Sequence, residues 1–352
     1  MSPDISPAQP GGLVLLTGGS GFIGSHCIIK LLAAGYRVRT TVRSIRREPD
    51  VRAMLEAGGA GDLSGNRLEF TEADLMSDAG WTEAASGCPH VLHVASPLPV
   101  ERPRFADDLI RPAVDGTRRV LRAARDAGVK RAVVTSSFAA IGYGHPADKL
   151  SFDETDWTRP ADNLHPYVLS KYYAERAAWE LIDREGGGLE LATVNPVVVL
   201  GPALGADMSA SLELVRAMLT GRLKVLPRIA VGIVDVRDVA DLHLLAMTSL
   251  NAAGQRFLAA SGEFMWLGGI SAVLREHLGD AARRAPRIVV PDVLVRLASL
   301  VSPLARQAAG PDLGHRRHAA NGKARAMLGW SPRSPEEAIL AAARSLIELR
   351  AL

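Results

Sequence analysis

Tyr167 and Lys171 stand four residues apart in the stretch YVLSK, which puts a phenol and an ammonium on one face of a helix. A phenol with an ordinary pKa of ~10 is a slow acid near neutrality, and a nearby cation makes its anion accessible. Such a pair suits proton delivery to a carbonyl oxygen while hydride arrives at carbon. Ser137, the last residue of VTSS at 134–137, could hold that oxygen beside the phenol. Taken alone, the pair reads as two surface residues on an amphipathic helix. What precedes it in the chain changes that reading.

A hydride donor needs a cradle, and LVLLTGGSGFIGSHCIIKLL at 13–32 has the makings of one. Leu13 to Leu16 supply a buried parallel strand, and Ile23, Ile28, Leu31 and Leu32 lie on one helical face. Between them, Gly18 permits a tight turn, Gly21 lets the chain approach a ligand, and Gly24 lets the helix pack closely. A helix beginning near Phe22 and Ile23 would aim its first N–H groups at a pyrophosphate. An ordinary glycine turn is the bland alternative. The flanking strand and helix favour a dinucleotide site.

The second strand ends TTVRSIRR at 40–47, with no carboxylate before Glu48. Arg43 stands where an acid would bind a free ribose, and a guanidinium there suits a 2′-phosphate. NADP(H) is therefore expected over NAD(H), a solvated basic turn being the other reading. Asp74, followed by Leu75 in EADLM, is placed to accept from an adenine amino group or to cap the next helix. Val94, Ala95 and Ser96 in HVASP are small residues at a strand end, leaving space for the cofactor's middle.

The elements that must position these groups alternate. Strands are expected at Leu13–Thr17, Arg37–Val42, Leu68–Glu72, Val91–Ala95 and Ala132–Ser136, with helices near 25–34, 51–56, 81–86 and 105–127. This predicts an α/β fold, a doubly wound parallel sheet whose strand C-termini line one edge. Residues 145–166 read as an ordered loop or lid, 167–184 as a helix, and 191–200 as a strand broken by Pro196. Helices are also expected at 209–220, 236–250 and 334–349. The expected division is a leader over 1–12, a dinucleotide-binding domain over 13–200, and a smaller substrate lobe over 201–352. Residues 228–250 are expected to return to the first domain.

Composition excludes several alternatives. A formal charge of +3 over 352 residues, without a long basic run, argues against nucleic acid. No apolar run is long enough for a membrane span, and the Pro-, Gly- and Ser-rich start lacks signal-peptide character. A cytoplasmic protein is expected. Cys27 and Cys88 lack metal-ligand spacing and read as reduced, buried thiols.

TGGSGFIGSH at 17–26, TVRS at 41–44, HVASP at 93–97, VTSS at 134–137 and YVLSK at 167–171 together resemble the extended short-chain dehydrogenases/reductases. Within them the chain is similar to the dihydroflavonol 4-reductase, cinnamoyl-CoA reductase and aldehyde reductase group. NPVVVLGP at 195–202 and VDVRDVADLHLLAM at 234–247 extend the resemblance to about residue 250, and NGKARAMLGWSPRSPEEAI at 321–339 looks similar too. It implies a Rossmann-type fold and NADPH-dependent reduction of a small aldehyde or ketone. It also implies catalytic roles for Ser137, Tyr167 and Lys171, a 2′-phosphate role for Arg43, and cofactor contacts at Pro196 and Val198. Pro97, Phe138, Pro202, Pro227 and Arg228 are candidate pocket edges that could equally be structural. Two other functions compete: a nucleotide-sugar epimerase/dehydratase or hydroxysteroid dehydrogenase, and a non-catalytic NADP-binding redox sensor. The former's sugar-nucleotide members mostly retain NAD, which fits an acid better than Arg43; a sensor would not need all of Ser137, Tyr167 and Lys171. Monomer and homodimer are both compatible with the sequence.

Overall fold

The computed structural model describes residues 11–61, 63, 65–97, 105–161, 163–205, 209–310 and 312–352. Most of the expected leader, residues 1–10, lies outside them. Seven strands form one sheet: β1 (Leu13–Thr17), β2 (Arg37–Val42), β3 (Leu68–Glu72), β4 (His90–His93), β5 (Arg131–Thr135), β6 (Glu190–Pro196) and β7 (Gln255–Ala259). Their order is β7-β6-β5-β4-β1-β2-β3, with every neighbouring pair parallel. The chain therefore winds outward from β1 to β3 and then from β4 to β7. The reversal falls between β1 and β4, where a Rossmann-type fold opens its ligand crevice.

Parallel neighbours need crossovers, here supplied by α1 (Phe22–Ala33), α2 (Glu48–Ala57), α3 (Trp81–Ala85), α4 (Asp107–Asp126), α5 (Pro166–Glu185), α6 (Ala210–Leu219) and α7 (Val236–Thr248). Strand alternation allots all of them except α6 to two faces. Val14, Leu16, Val38, Leu92, Val133 and Phe257 pack against Ile28 and Leu31 of α1, Leu55 of α2 and Leu242 of α7. Leu13, Leu15, Val91, Ala132 and Leu191 turn to the opposite core, with Trp81, Leu121 and Leu181 from α3, α4 and α5. Each fully buried Val, Leu, Ile or Phe side chain among these contributes about 1.5–3 kcal/mol.

A third core lies apart from the sheet. Leu212 and Met218 of α6 meet Leu274 of α8 (Leu267–Leu278) and Ile339 and Leu346 of the helix Pro335–Glu348. The polypeptide that builds much of it, residues 197–254, is inserted between the two last strands of the sheet.

Several boundaries differ from expectation. The run 191–200 splits at Pro196–Val197, and Val198–Leu200 leaves the sheet to pair in parallel with Ile233–Asp235. Pro196 has no N–H with which to continue a ladder. The fourth strand stops at His93, before Val94 and Ala95, because those N–H groups go to the Thr17 hydroxyl instead. β7 and α8 were not anticipated as separate elements; β7 begins with two polar residues, and Arg256 is buried there by a side-chain ion pair. The described residues of the 145–166 segment are irregular apart from Ser151–Phe152, which pairs with His318–Ala319, and Pro166, which opens α5.

Candidate active site

The glycine turn, the start of α1 and the end of β4 are pressed together. Gly18 has φ +77°, and a Cβ there would lie 2.9 Å from the Ala95 Cα. A Cβ on Gly24 would fall 2.2 Å from the Gly18 carbonyl oxygen, so α1 seats on the turn only because that atom is missing. Gly21 is the N-cap of α1, and no side chain caps the first helical N–H groups, those of Phe22 and Ile23. The Thr17 hydroxyl accepts from the Val94 and Ala95 N–H groups at 3.1 and 3.0 Å. Its own proton then points to His93 Nδ1, 2.8 Å away.

Arg43 follows β2 and is exposed, with no hydrogen bond or ion pair to any described residue. The turn behind it is fixed: Glu72 at the end of β3 accepts from the Ile45 N–H at 2.6 Å, and Ser44 Oγ accepts from the Arg46 N–H. Asp74 is half-buried, and its Oδ1 accepts from the Met76 N–H at 2.9 Å. It therefore closes a local turn and does not cap α3, whose N-cap is Gly80. Leu75 is buried in the sheet core against Gly116 of α4.

Beyond β5, Ser137 opens a short 3₁₀ turn, and its Oγ accepts from the Ala139 N–H at 3.1 Å. That turn packs on α5. His165 caps α5 by accepting from the Tyr167 N–H, and Pro166 fits the first helical position. Tyr167 is 38% exposed, and the Lys171 ammonium lies 5.9 Å from its ring centroid. Lys171 also donates to Ser96 Oγ at 3.0 Å. The expected phenol–ammonium pair thus meets the end of β4, one strand from the glycine turn.

Other candidates scatter. Pro196 ends β6 and Val198 begins the departing strand, donating to the Gly232 carbonyl at 3.0 Å. Pro202 gives its carbonyl to His26 Nε2 at 2.9 Å. Pro97 is half-buried beside residues outside the description. Phe138 takes the structural one of its two readings: it is buried edge-on among Tyr143, Phe152 and Phe264, because the 3₁₀ turn sends its ring into that core. Pro227 and Arg228 line a cavity of about 390 Å³ with Trp266 and Val289, and Arg228 pairs with Asp292. A second cavity of about 370 Å³ lies between His145–Phe152 and Ala309–Arg317. Neither is lined by Ser137, Tyr167 or Lys171.

Residues 14–260 match the family described as the NAD dependent epimerase/dehydratase family. The chain belongs to that family. Several of its curated relatives are reductases. Tetraketide alpha-pyrone reductase 2 of Arabidopsis thaliana is 36% identical over 260 residues, 72% of this chain and 78% of the relative. Dihydroflavonol 4-reductase of Zea mays is 32% identical over 292 residues, 80% and 79% of the two chains. Among solved structures, yeast methylglyoxal/isovaleraldehyde reductase Gre2 complexed with NADPH superposes with a TM-score of 0.79 at 26% identity, covering 96% of this chain and 99% of that one. The protein is thus an NAD(P)-dependent oxidoreductase of the extended short-chain dehydrogenase/reductase type. No helix among the described residues is long and apolar enough to cross a membrane, and no cluster there is suited to a metal ion.

Four histidines of this epimerase/dehydratase-family chain are held neutral by burial. His26, His90 and His243 have pKa values lowered to about 4, and His93 to about 3, with Lys171 adding to the effect at His93. Unfolded, each titrates near ~6.5. Between these limits the unfolded chain takes up protons that the folded chain refuses, so stability falls as pH drops from about 6.5 toward 4. The buried Asp238 and Glu154 carboxyls, raised by desolvation, oppose this nearer pH 4. The expected result is a melting temperature level from pH 8 to 7 and declining below pH 6. Calorimetry across that range checks it, and a flat profile to pH 4.5 would contradict the burial argument.

Sequence reasoning missed Thr17, Ser136, Glu175, Asn195 and Arg256. One signal was available: Glu175 continues the four-residue spacing of Tyr167 and Lys171.

Proposed function

We propose that the protein is an NADPH-dependent reductase of a small aldehyde or ketone. The observation that carries this reading is the contact of Lys171 with Ser96, beside Tyr167 and one strand from the Gly18 turn. It joins a proton donor to a dinucleotide cradle at the reversal of strand order. The residues fit that cofactor: Gly21 presents no side chain at the α1 N-terminus, and a Cβ there would meet only the Gly18 carbonyl oxygen, at 3.3 Å. The Phe22 and Ile23 N–H groups would hold the pyrophosphate, Arg43 the 2′-phosphate, and Asp74 and Leu75 the adenine side. Ala95, Ser96, Pro196 and Val198 would flank the cofactor's middle and nicotinamide end, and Lys171 would hold the ribose.

NADPH, when bound, supplies hydride to the carbonyl carbon. Tyr167 delivers the proton to oxygen, Lys171 stabilises the phenolate that this leaves, and Ser137 hydrogen-bonds the oxygen and orients it. In the domain division we propose, residues 13–200 bind the dinucleotide and 201–352 form mostly the substrate lobe. Residues 228–250 return to the sheet, a reading supported by α7 in the sheet core. Residues 204–228 and 145–166 would then wall the substrate.

The test is loss of absorbance at the reduced-nicotinamide band during incubation with a panel of aldehydes and ketones, run with NADPH and with NADH. Turnover preferring NADPH is expected. Tight NADPH binding with no turnover on any carbonyl would replace this reading with that of a redox sensor.

A further inference from the structure

Behind the site lies a carboxylate that the reaction itself does not use. Glu175 sits two turns beyond Tyr167 and one beyond Lys171 on α5, and it is buried. Its Oε1 accepts from Arg256 Nε at 2.6 Å, from Trp179 Nε1 at 3.3 Å and from the Thr193 hydroxyl at 3.2 Å. Its Oε2 accepts from Asn195 Nδ2 at 2.6 Å and from the Ser136 hydroxyl. Every neighbour is a donor. Glu175 is 1% exposed, so neither oxygen reaches solvent.

These partners sit on the elements that must be held in relation to one another. Ser136 immediately precedes Ser137 at the end of β5. Asn195 Nδ2, besides meeting Glu175, donates to the Ser137 carbonyl at 3.3 Å. Arg256 belongs to β7, two strands away, and its Nη1 donates to the carbonyls of Glu154 and Asp156 at 2.8 and 2.7 Å. The guanidinium also stacks on Trp157, 3.6 Å from the ring centroid. One carboxylate therefore ties the helix of Tyr167 and Lys171 to the strand end of Ser137. Its arginine extends the tie to the 145–166 segment.

We infer that Glu175 and Arg256 are positioning residues that set the placement of the Tyr167 hydroxyl relative to Ser137. This rests on the proton-transfer reading of those residues given above. The physical reason is geometric. Two hydroxyls must converge on one oxygen, and a misplacement of ~1 Å costs roughly a hundredfold in rate. A helix held on the sheet only by apolar packing would slide more easily than one pinned by directional, charge-assisted hydrogen bonds. Lys171 is held separately by Ser96, so cofactor binding is expected to be insensitive to the network.

The experiment compares Glu175→Gln, Arg256→Met, Asn195→Ala and the double variant Glu175→Met/Arg256→Met with wild type and Tyr167→Phe. It measures kcat, KM, NADPH dissociation constants and melting temperatures. Asn195→Ala leaves the Glu175–Arg256 ion pair intact and removes the donations of Asn195 to Glu175 and to the Ser137 carbonyl. Its kcat should fall roughly ten- to hundredfold while NADPH affinity stays within about twofold. The single charge variants should both melt lower and turn over more slowly. The double variant removes the stranded charge, so its melting temperature should recover while kcat stays low. Recovery of kcat together with melting temperature would overturn the inference, as would wild-type kcat in Asn195→Ala. The proton-transfer reading fails separately, if Tyr167→Phe retains its activity.

Discussion

Tyr167→Phe is expected to bind NADPH as wild type does and to lose about a hundred- to ten-thousandfold in kcat. The substitution removes one hydroxyl from a ring that is partly exposed and whose oxygen carries no bond to any described residue. Little folding energy rests on it. The helix start is held by His165 and Pro166, and the cation that would grip the cofactor stays on Ser96. What disappears is the proton donor at the carbonyl oxygen, and general acid–base assistance is typically worth that range. Steady-state rates and an NADPH titration on the same preparation give both quantities. A variant that keeps near-full reductase activity would remove Tyr167 from the mechanism.

Arg43→Ala should weaken NADPH binding about ten- to a hundredfold and leave NADH binding nearly unchanged. A charge-assisted hydrogen-bonded contact contributes roughly 1.5–3 kcal/mol, which corresponds to that loss. The side chain is exposed and pairs with no described residue, while Glu72 and Ser44 hold the turn without it. The variant should therefore fold normally. Because the guanidinium faces water, the NADPH preference should also shrink as salt is raised. Fluorescence titrations with both cofactors decide the matter: equal losses for the two would show that Arg43 does not read the 2′-phosphate.

Local patterns made the first five strands, the glycine turn and the start of α5 legible. In each, apolar periodicity agrees with a capping or turn residue at the right place, as with His165–Pro166 before Tyr167. Phe138 was left open between pocket edge and structural residue, because an aromatic residue after a serine-bearing strand end has no sequence signature for direction; the 3₁₀ turn sends it into the core. β7 was hidden for a related reason. QRFLA opens with polar residues, and burying Arg256 makes sense only once Glu175, eighty-one positions earlier, stands opposite it. The Glu175 network draws on one helix and three strands, and spacing along the chain cannot display such a meeting. Asp74 shows the intermediate case, since its turn-closing bond to the Met76 N–H is local, while contact with an adenine is something that only a ligand could reveal.

The insertion of residues 197–254 between the last two strands has a consequence for biosynthesis. As the chain leaves the ribosome, the glycine cradle and its first strands are available while β6 still presents a bare edge. Arg256 emerges only afterwards, so a nascent chain long enough to grip a nucleotide still lacks the cation that pins α5. Competence for binding should precede competence for turnover during synthesis, with ribosome-stalled chains that end before Arg256 binding nucleotide without turning over. Until β7 docks, the open edge of β6 is the place where two nascent chains would pair wrongly.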